Sequence, residues 1–531
     1  MQKFYVTTAI DYVNAVPHIG HAYEKIAADI VARYHRMRGK EVYFQTGVDE
    51  HGSKVEKSAH ETGMSPKAFC DMMSKKFQNA WDSLNLSYDH FIRTTDEEHE
   101  KAIQHIFQKL VESGDIYKGK YVGLYCDGCE DFIRERDLAE DGTCPNHKKK
   151  PKELEEENYF FRLSYYKENL NKWLSAYPDA VKPEGRKKEI LNQLNDPELG
   201  DFSVTRARSA LTWGIPVPGH EEHVIYVWID ALSNYITGVG YPHDMDRFRK
   251  FWPADLHLIG KDINKFHSIY WPALLMALGV EPCKMVFAHG FITVQGQKIS
   301  KSLGNVIDPI ALAETFGADA VRYYLFAATP FDSDGDFSKE QFIARTNAEL
   351  ANNLGNLLNR TLTLIEKNCN GVIPDQDPDH TLRIQSNGLN SIIEKHMENL
   401  EFGKALSAIF AIVDEANKYM NDEAPWKLFK EGKQKEGEEV LFTCLEVLKR
   451  TAIYMYPFTP KLAADIWHQI GNDDDVAIFG DRPEDGILDL LKPGVKVRNQ
   501  GPVFKRLEDP DAPPPDDKNP PTKAAKPPKK G

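Results

Sequence analysis

The sequence lacks the marks of a membrane-bound or secreted protein. No apolar run approaches the ~20 residues that a bilayer-spanning helix needs. The amino terminus shows no basic segment followed by an apolar stretch, which a secretory signal would require. We therefore expect a cytoplasmic protein with no membrane partner. With 531 residues, the chain exceeds what one hydrophobic core usually supports, so we expect several domains.

Positive charge is outnumbered in this chain, because 66 lysines and arginines stand against 80 aspartates and glutamates and give a formal net charge of -14 at pH 7. This balance argues against a protein coated in basic surface, and we expect no DNA partner. It leaves an RNA partner open, since a local basic face is enough to bind phosphates.

Cysteine is also rare, with seven residues in the chain. Three of them form a cluster with one histidine: Cys126-x-x-Cys129, fourteen residues, then Cys144-x-x-His147. In a reducing compartment such a cluster indicates metal before disulfide. Two turn-borne pairs of soft ligands predict one tetrahedral zinc ion per chain, and a closed four-ligand shell makes that zinc structural. The isolated cysteines are expected to be buried thiols: Cys70, Cys283, Cys369 and Cys444.

The pattern of apolar residues divides the chain into five parts. Alternating strand and helix signals predict a Rossmann-like parallel sheet split into residues 1–115 and 226–345, around an insertion at 116–225 that carries the cysteine cluster. Apolar residues at helical spacing predict an all-α bundle over 346–507. Residues 508–531 are rich in proline and lysine, which predicts a disordered tail. Three apolar runs in the α/β part are expected to be buried parallel strands: HVIYVWIDAL, DLHLIGKDI and MVFAHGFITV.

Two short motifs carry the chemistry. His18 and His21 fall on the first turn of a helix that follows a strand, where unpaired amides and the helix dipole favour an anion. Gly20, between them, leaves room for a flat ligand. Far downstream, Lys298 and Lys301 share a glycine- and serine-containing loop whose ammonium and hydroxyl groups suit phosphate oxygens.

In this order and context, the motifs HIGH at 18–21 and KISKS at 298–302 resemble the HIGH and KMSKS motifs of the class I aminoacyl-tRNA synthetases. Over roughly residues 3 to 507, the chain resembles the methionyl-tRNA synthetase family in particular, with Ile299 in place of a methionine. The resemblance implies ATP with Mg²⁺, L-methionine and tRNA(Met) as substrates, joined through a methionyl-adenylate for initiation and elongation of translation. It also implies a helical anticodon-binding domain, and we expect a monomer.

The resemblance assigns roles residue by residue. It implies catalytic roles for His18, His21, Lys298 and Lys301, and ATP contacts for Gly20, Gly260, Asp262, Lys298, Ser300 and Lys301. Methionine would contact Ala9, Ile10, Tyr12, Asp49, Trp228, Tyr235, Ile263 and His267. The anticodon would contact Asn356, Arg360 and Trp426. Asp11 and Leu232 depart from the family, because both stand where its members often carry proline.

Three other interpretations fit parts of the sequence. Leucyl, isoleucyl or valyl enzymes of the same class typically carry a larger editing insertion than 116–225 allows, and cysteinyl enzymes tend to use an active-site zinc. A small nucleotidylyltransferase would leave the long helical domain without a role. A zinc-containing RNA-binding protein would leave the spacing of the histidines and lysines unexplained.

Overall fold

Short strands make up the centre of the first two thirds of the chain. The computed structural model describes residues 2–126, 131–133, 135–145, 148–299, 304–376, 380–479 and 491–511. In chain order its strands are β1 (Lys3–Thr8), β2 (Asp11–Tyr12), β3 (Glu41–Asp49), β4 (His90–Arg93), β5 (Ile116–Cys126), β6 (Asp131–Ile133), β7 (Lys152–Phe161), β8 (Val181–Lys182), β9 (Phe202–Ser203), β10 (Thr205–Ala207), β11 (Pro216–Val217), β12 (His220–Ile225), β13 (Leu256–Gly260), β14 (Val286–His289), β15 (Ile292–Val294), β16 (Gln297–Lys298) and β17 (Gly335–Phe337).

Seven of these strands form one parallel sheet. Their order is β2-β3-β1-β13-β14-β8, and β4 also pairs with β3. Every pair in the sheet is parallel, so all seven strands point their carboxyl ends to the same edge. The split α/β fold is thereby confirmed.

Helices cover both faces of the sheet and make up most of the carboxyl-terminal part of the chain. They are α1 (Ile19–Met37), α2 (Ser53–Glu61), α3 (Pro66–Ser83), α4 (Glu97–Glu112), α5 (Leu163–Ala176), α6 (Glu184–Leu194), α7 (Val227–Thr237), α8 (Met245–Phe251), α9 (Trp271–Leu278), α10 (Pro309–Phe316), α11 (Ala318–Ala328), α12 (Lys339–Thr346), α13 (Asn356–Asn368), α14 (His380–Glu398), α15 (Phe402–Glu423), α16 (Pro425–Lys430), α17 (Gln434–Met455) and α18 (Pro460–Gln469). No helix in the described ranges is long and apolar enough to cross a bilayer.

Alternation along the central strands fills two apolar cores. In β1, Val6 packs into the core on the α1 side, whereas Tyr5 packs into the core on the opposite side. In β3, Phe44 and Tyr43 divide in the same way. This period of two is what a strand buried on both faces requires. Helix α1 lies in the first core with most of its length buried.

The insertion at 116–225 is built on an antiparallel sheet. Strand β5 pairs with β6 and, over ten positions, with β7. The same segment also returns a strand to the main sheet, because β8 pairs in parallel with β14. The insertion therefore also contributes an edge strand, β8, to the main parallel sheet.

One predicted strand is wrong. The run HVIYVWIDAL ends the antiparallel strand β12 and then starts helix α7 at Val227. Helix α7 is buried almost all round, so its residues are apolar without helical periodicity, and a short apolar run cannot be told from a strand by periodicity alone. The other two runs contain strands β13 and β14, as expected, although MVFAHGFITV continues into β15 of another sheet.

The carboxyl-terminal part is helical, as predicted, and one buried arginine ties it to the α/β part. Arg322 on α11 is fully buried and lies 2.7 Å from Asp29 of α1. Its guanidinium also donates to the carbonyls of Pro457 and Phe458, which precede α18. The four isolated cysteines are buried, as expected. The predicted disordered tail lies outside the described residues from 512 onward.

Candidate active site

The loops that leave the carboxyl ends of β1, β3, β13 and β14 meet at one edge of the sheet. The backbone N–H of Ala9 donates to Leu258 of β13, and Tyr12 pairs with Asp49 at the end of β3. Gly260 pairs with His289 across β13 and β14. In open α/β sheets, this edge is where ligands bind.

The side chains of His18 and His21 accept hydrogen bonds from the backbone at the start of α1. The Nδ1 atom of His18 accepts from the N–H groups of Gly20 (3.1 Å) and His21 (3.4 Å), and Nδ1 of His21 accepts from the N–H of His18 (3.2 Å). The rings stack at 3.7 Å. The histidines therefore do cap the helix, and the amides expected to be open to an anion are already bonded.

This geometry fixes the protonation of both rings. Burial, with the neighbouring His21 and Lys25, lowers the pKa of His18 to about 3, and burial with Lys25 lowers that of His21 to about 3. Both imidazoles are thus neutral at pH 7. Because each Nδ1 accepts a hydrogen bond, the proton of each ring sits on Nε2. The pair presents two N–H donors rather than two cations.

The lysine loop lies against this helix start. A Cβ built on Gly20 would lie 3.8 Å from Cδ1 of Ile299, and the N–H of Ile19 donates to the carbonyl of Ile307 just beyond the loop. Lys298, in the β15–β16 hairpin, is exposed and its Nζ lies 5.2 Å from the centre of the Phe291 ring. Ser300 and Lys301 lie outside the described residues. The two motifs, almost three hundred positions apart, meet at Gly20 and Ile299.

A tyrosine–histidine pair is buried beside this edge of the sheet, just beyond β13 in the second apolar core. The Tyr235 hydroxyl lies 2.7 Å from Nε2 of His267, whose Nδ1 lies 3.0 Å from the carbonyl of Ile263. Burial lowers the pKa of His267 to about 4, so its ring is neutral. Since Nδ1 donates to the carbonyl, Nε2 accepts from the tyrosine.

Four of the eight predicted methionine-contacting residues share one apolar cluster, whereas Tyr12 packs against the other core, on the α1 side of the sheet. Trp228 stacks on Phe266 at 3.6 Å, and its Nε1–H is buried without a hydrogen-bond partner among the described residues. Ala9, Tyr235, Trp228 and Ile263 belong to the same cluster, as does the departure Leu232. Ile10 is half-buried in the loop between Ala9 and β2.

The backbone of Gly260, at the end of β13, lies close to the side chain of Asp262. A Cβ there would lie 2.9 Å from an oxygen of Asp262, so a side chain would push that exposed carboxylate aside. The predicted residues of the third strand end thus lie at the same edge as the two motifs.

Comparisons with known proteins agree with this geometry. A family model described as class I tRNA synthetases (M) matches residues 4–155 and 140–362, and one described as the anticodon binding domain of methionyl tRNA ligase matches 378–514. The methionine–tRNA ligase of Thermotoga maritima is 44% identical over 516 residues, which are 95% of this chain and 80% of that protein. The Nostoc enzyme is 41% identical over 523 residues, with shares of 96% and 98%. The chain belongs to the methionyl-tRNA synthetase family.

A solved member of the family has the same fold. The Mycobacterium tuberculosis methionyl-tRNA synthetase in complex with methionyl-adenylate matches this structure with a TM-score of 0.91 at 40% identity, covering 95% of this chain and all of the other. The resemblance seen in the sequence is confirmed.

In the helical domain of this methionyl-tRNA synthetase family member, two of the three predicted anticodon residues lie together. Cζ of Arg360, on α13, lies 5.3 Å from the centre of the Trp426 ring at the start of α16. Arg360 also donates to Asn421 at 2.9 Å. Asn356 is exposed one turn earlier on α13. This distance is that of a cation–π contact, and arginine and aromatic side chains are both groups on which unstacked bases stack.

Two of the four predicted metal ligands are described. Cys126, at the end of β5, and Cys144 are buried, and the N–H of Lys148 donates to the carbonyl of Cys144 in a tight turn. Cys129 and His147 lie outside the described residues. Within the described ranges, no three potential ligands cluster.

Sequence reasoning missed two buried charged networks beside the site. In one, Asp230 bridges His51 (2.7 Å) and His99 (2.8 Å). Although burial opposes it, Asp230 raises the pKa of His51 to about 10, so this ring is charged. In the other, Lys25 lies between Asp11 and Glu24. The sequence held one signal of the second network: the helix that became α1 is apolar on several sides yet carries the charged residues Glu24 and Lys25.

Substitution of Gly20 tests the fit of the helix cap. A Cβ at Gly20 would lie 3.0 Å from Cε1 and Nδ1 of His18, so G20A should displace the capping ring. We expect a loss of about 1–2 kcal/mol in the free energy of unfolding, the scale of a lost cap, measured by denaturant titration. The control is G185A, where a Cβ meets nothing within 4 Å. Equal stability of both variants would contradict the cap.

Proposed function

We propose that the chain is a methionine–tRNA ligase, which activates methionine with ATP as methionyl-adenylate and transfers it to tRNA(Met). The observation that carries this proposal is the closeness of Ile299 to Gly20, where a Cβ built on the glycine would lie 3.8 Å from Cδ1 of Ile299. It brings two N–H donors on a helix start and a lysine loop to the same edge of the sheet. The buried pair of Tyr235 and His267 is joined to the same edge through the carbonyl of Ile263, just beyond β13. The products would serve initiation and elongation of translation in the cytoplasm.

The first step needs placement and positive potential more than covalent help. A carboxylate oxygen of methionine attacks the α-phosphorus of ATP, the bond from that phosphorus to the bridging oxygen of the β-phosphate breaks, and pyrophosphate leaves while negative charge builds on the oxygens around the phosphorus. In our proposal, Nε2–H of His18 and His21 donate to phosphate oxygens, while Lys298 and Lys301 close over the phosphates with the hydroxyl of Ser300. Preorganised donors and cations of this kind stabilise such a transition state. Mg²⁺ accompanies the nucleotide.

Gly20 and Gly260 suit the adenosine half of the nucleotide, because neither carries a side chain where the flat base would approach. Asp262 lies beside Gly260 with an exposed carboxylate and would accept from a ribose hydroxyl. These contacts complete the ATP site at the ends of β1 and β13.

Methionine would occupy the pocket beside the nucleotide. Its thioether is apolar and polarizable, so Ala9, Ile10, Trp228 and Ile263 would contact the side chain. The hydroxyl of Tyr235, oriented by His267, would face the sulfur, and Tyr12 would cover the pocket. Asp49, at the end of β3 and 3% exposed, would pair with the α-ammonium group.

The helical domain would read the tRNA. Unstacked anticodon bases are recognised by stacking on aromatic rings and by hydrogen bonds to base edges. Trp426 would supply the ring, and Asn356 and Arg360 the donors. In this division, residues 346–507 would bind the anticodon, and residues 1–115 with 226–345 would carry out the reaction. We propose that the chain acts as a monomer.

Zinc would hold the tip of the insertion at 116–225. Two buried thiols of the insertion, Cys126 at the end of β5 and Cys144, are available to it, and thiolates are the donors that structural zinc prefers. With Cys129 and His147 they complete a tetrahedral set. Bound zinc supplies folding energy to this small unit and takes no part in the reaction.

Amino-acid-dependent exchange of pyrophosphate into ATP tests the function. With each of the twenty amino acids in turn, we expect exchange with methionine and none above background with the others, because only the adenylate of the true substrate forms and reverses. Exchange with isoleucine, valine, leucine or cysteine would assign another synthetase. No exchange with any amino acid would overturn the assignment.

Trp426→Ala tests the anticodon role. Loss of one base stack costs about 1–3 kcal/mol, so we expect aminoacylation of tRNA(Met) to fall about tenfold to a hundredfold while methionine-dependent exchange stays unchanged. Trp426→Phe keeps a stacking ring and should retain most of the activity. Equal losses in both assays for Trp426→Ala would show a structural role instead.

A further inference from the structure

Three buried charged side chains and a buried histidine form a chain beside the candidate active site. Asp11 Oδ1 lies 2.6 Å from Nζ of Lys25, which lies 3.0 Å from Oε1 of Glu24. The other oxygen of Glu24 lies 3.0 Å from Nε2 of His289. The carbonyl of Gly290 lies 2.7 Å from Nδ1 of His289. All four side chains are less than a tenth exposed.

Charges of opposite sign alternate along this chain from Asp11 through Lys25 to Glu24. Both ring nitrogens of His289 lie beside acceptor oxygens, one of a carboxylate and one of a carbonyl. Buried charges are tolerated when each is paired and hydrogen-bonded, and removal of one partner leaves the next uncompensated.

The chain joins three parts of the site that are far apart in sequence. Asp11 lies between Ile10 and Tyr12, in the loop that we assign to methionine. Lys25 and Glu24 lie on α1, one turn beyond His21, so they share the helix that presents the imidazoles. His289 ends β14, shortly before the hairpin that carries Lys298.

The carboxylate of Asp11 uses only one of its oxygens within this chain, because Oδ2 is buried without a hydrogen-bond partner among the described residues. The negative charge of Asp11 therefore depends on Lys25 for compensation. This ion pair joins β2, which begins at Asp11, to helix α1. Glu24, by contrast, has both Lys25 and His289.

We propose that Asp11 and Lys25 are a positioning pair that holds the methionine-binding loop against the helix of the HIGH motif. This inference rests on the proposed function, since it concerns the methionine half of that site. Neither residue touches the reacting atoms. Each acts through its neighbours, Ile10 and Tyr12 on one side and His21 on the other.

A pH dependence supports the geometry. The groups that face Asp11 are Lys25, Glu24 and His18. Burial, opposed by Lys25, raises the pKa of Asp11 to about 6, while the pKa of Glu24 is held at about 2 and that of His18 at about 3. Between pH 5 and 7, Asp11 is thus the member of this group that changes charge. The pair is intact above about pH 6 and is lost as the pH falls through it.

Asp11→Asn tests the pair, because the amide keeps the shape and removes the charge. We expect the Kd for methionine without ATP, followed by tryptophan fluorescence, to rise about tenfold at pH 7.5, the scale of one charge-assisted hydrogen bond. The wild-type Kd should rise as the pH falls through about 6, and the variant Kd should stay flat. The KM for ATP in exchange should change less than the KM for methionine.

Glu41→Gln is the matched control. Glu41 pairs with Lys250 at the opposite, amino-terminal end of β3, where both side chains are partly exposed, so its loss should leave methionine binding and its pH profile unchanged. An Asp11→Asn variant with wild-type affinity and a wild-type pH profile would overturn the inference. Failure of the wild type itself to exchange pyrophosphate with methionine would instead overturn the proposed function.

Lys25→Met gives a second test that does not depend on the first variant. It leaves Asp11 and Glu24 without their shared cation, and methionine affinity should fall. Because the pair acts as a unit, the double variant D11N/K25M should lose no more than Lys25→Met alone. Losses that multiply in the double variant would show that the two residues act independently.

Discussion

Burial of helix α1 is the constraint on which the rest of the structure depends. The helix lies against the parallel sheet with most of its residues inaccessible, yet it carries Glu24, Lys25, Asp29 and Arg33. Each of these charges must find its partner inside the protein. Glu24 reaches β14, Lys25 reaches the loop of β2, and Asp29 reaches Arg322 and so the helical domain. One helix thus fixes the relative positions of both halves of the sheet and of the anticodon-binding part.

The same constraint explains the state of the two motif histidines. Their rings are half-buried at the helix start and their Nδ1 atoms accept hydrogen bonds from backbone amides, so they remain neutral and offer Nε2–H outward. In the proposed reaction, fixed neutral donors would orient the phosphates, and the cations would come from the exposed hairpin of Lys298. Rigid donors and an exposed lysine loop separate the tasks of binding the nucleotide and of stabilising the charge that develops later.

Local patterns in the sequence predicted much of this architecture. Strands β13 and β14 lie in predicted runs, and the placement of His18 and His21 at the start of a helix after a strand is confirmed, with His18 as the residue that caps α1. The apolar run at 223–232 misled, because a helix buried on all sides has no periodicity to distinguish it from a strand. The Asp11–Lys25 and Asp230–His51 pairs were not predictable, since their partners are 14 and 179 positions apart and only the tertiary fold brings them together.

The central claim is that two neutral imidazoles face the lysine loop across one nucleotide. Long-range ¹H–¹⁵N correlation spectra of the histidine-labelled chain test it most directly, with His18→Gln and His21→Gln used for assignment. The account predicts that both rings stay protonated on Nε2 alone down to about pH 4.5, in line with the lowered pKa values, and that a non-hydrolysable ATP analogue shifts both Nε2 resonances. Titration of either ring near its ordinary pKa of about 6.5, or Nε2 signals that ignore the analogue, would contradict it.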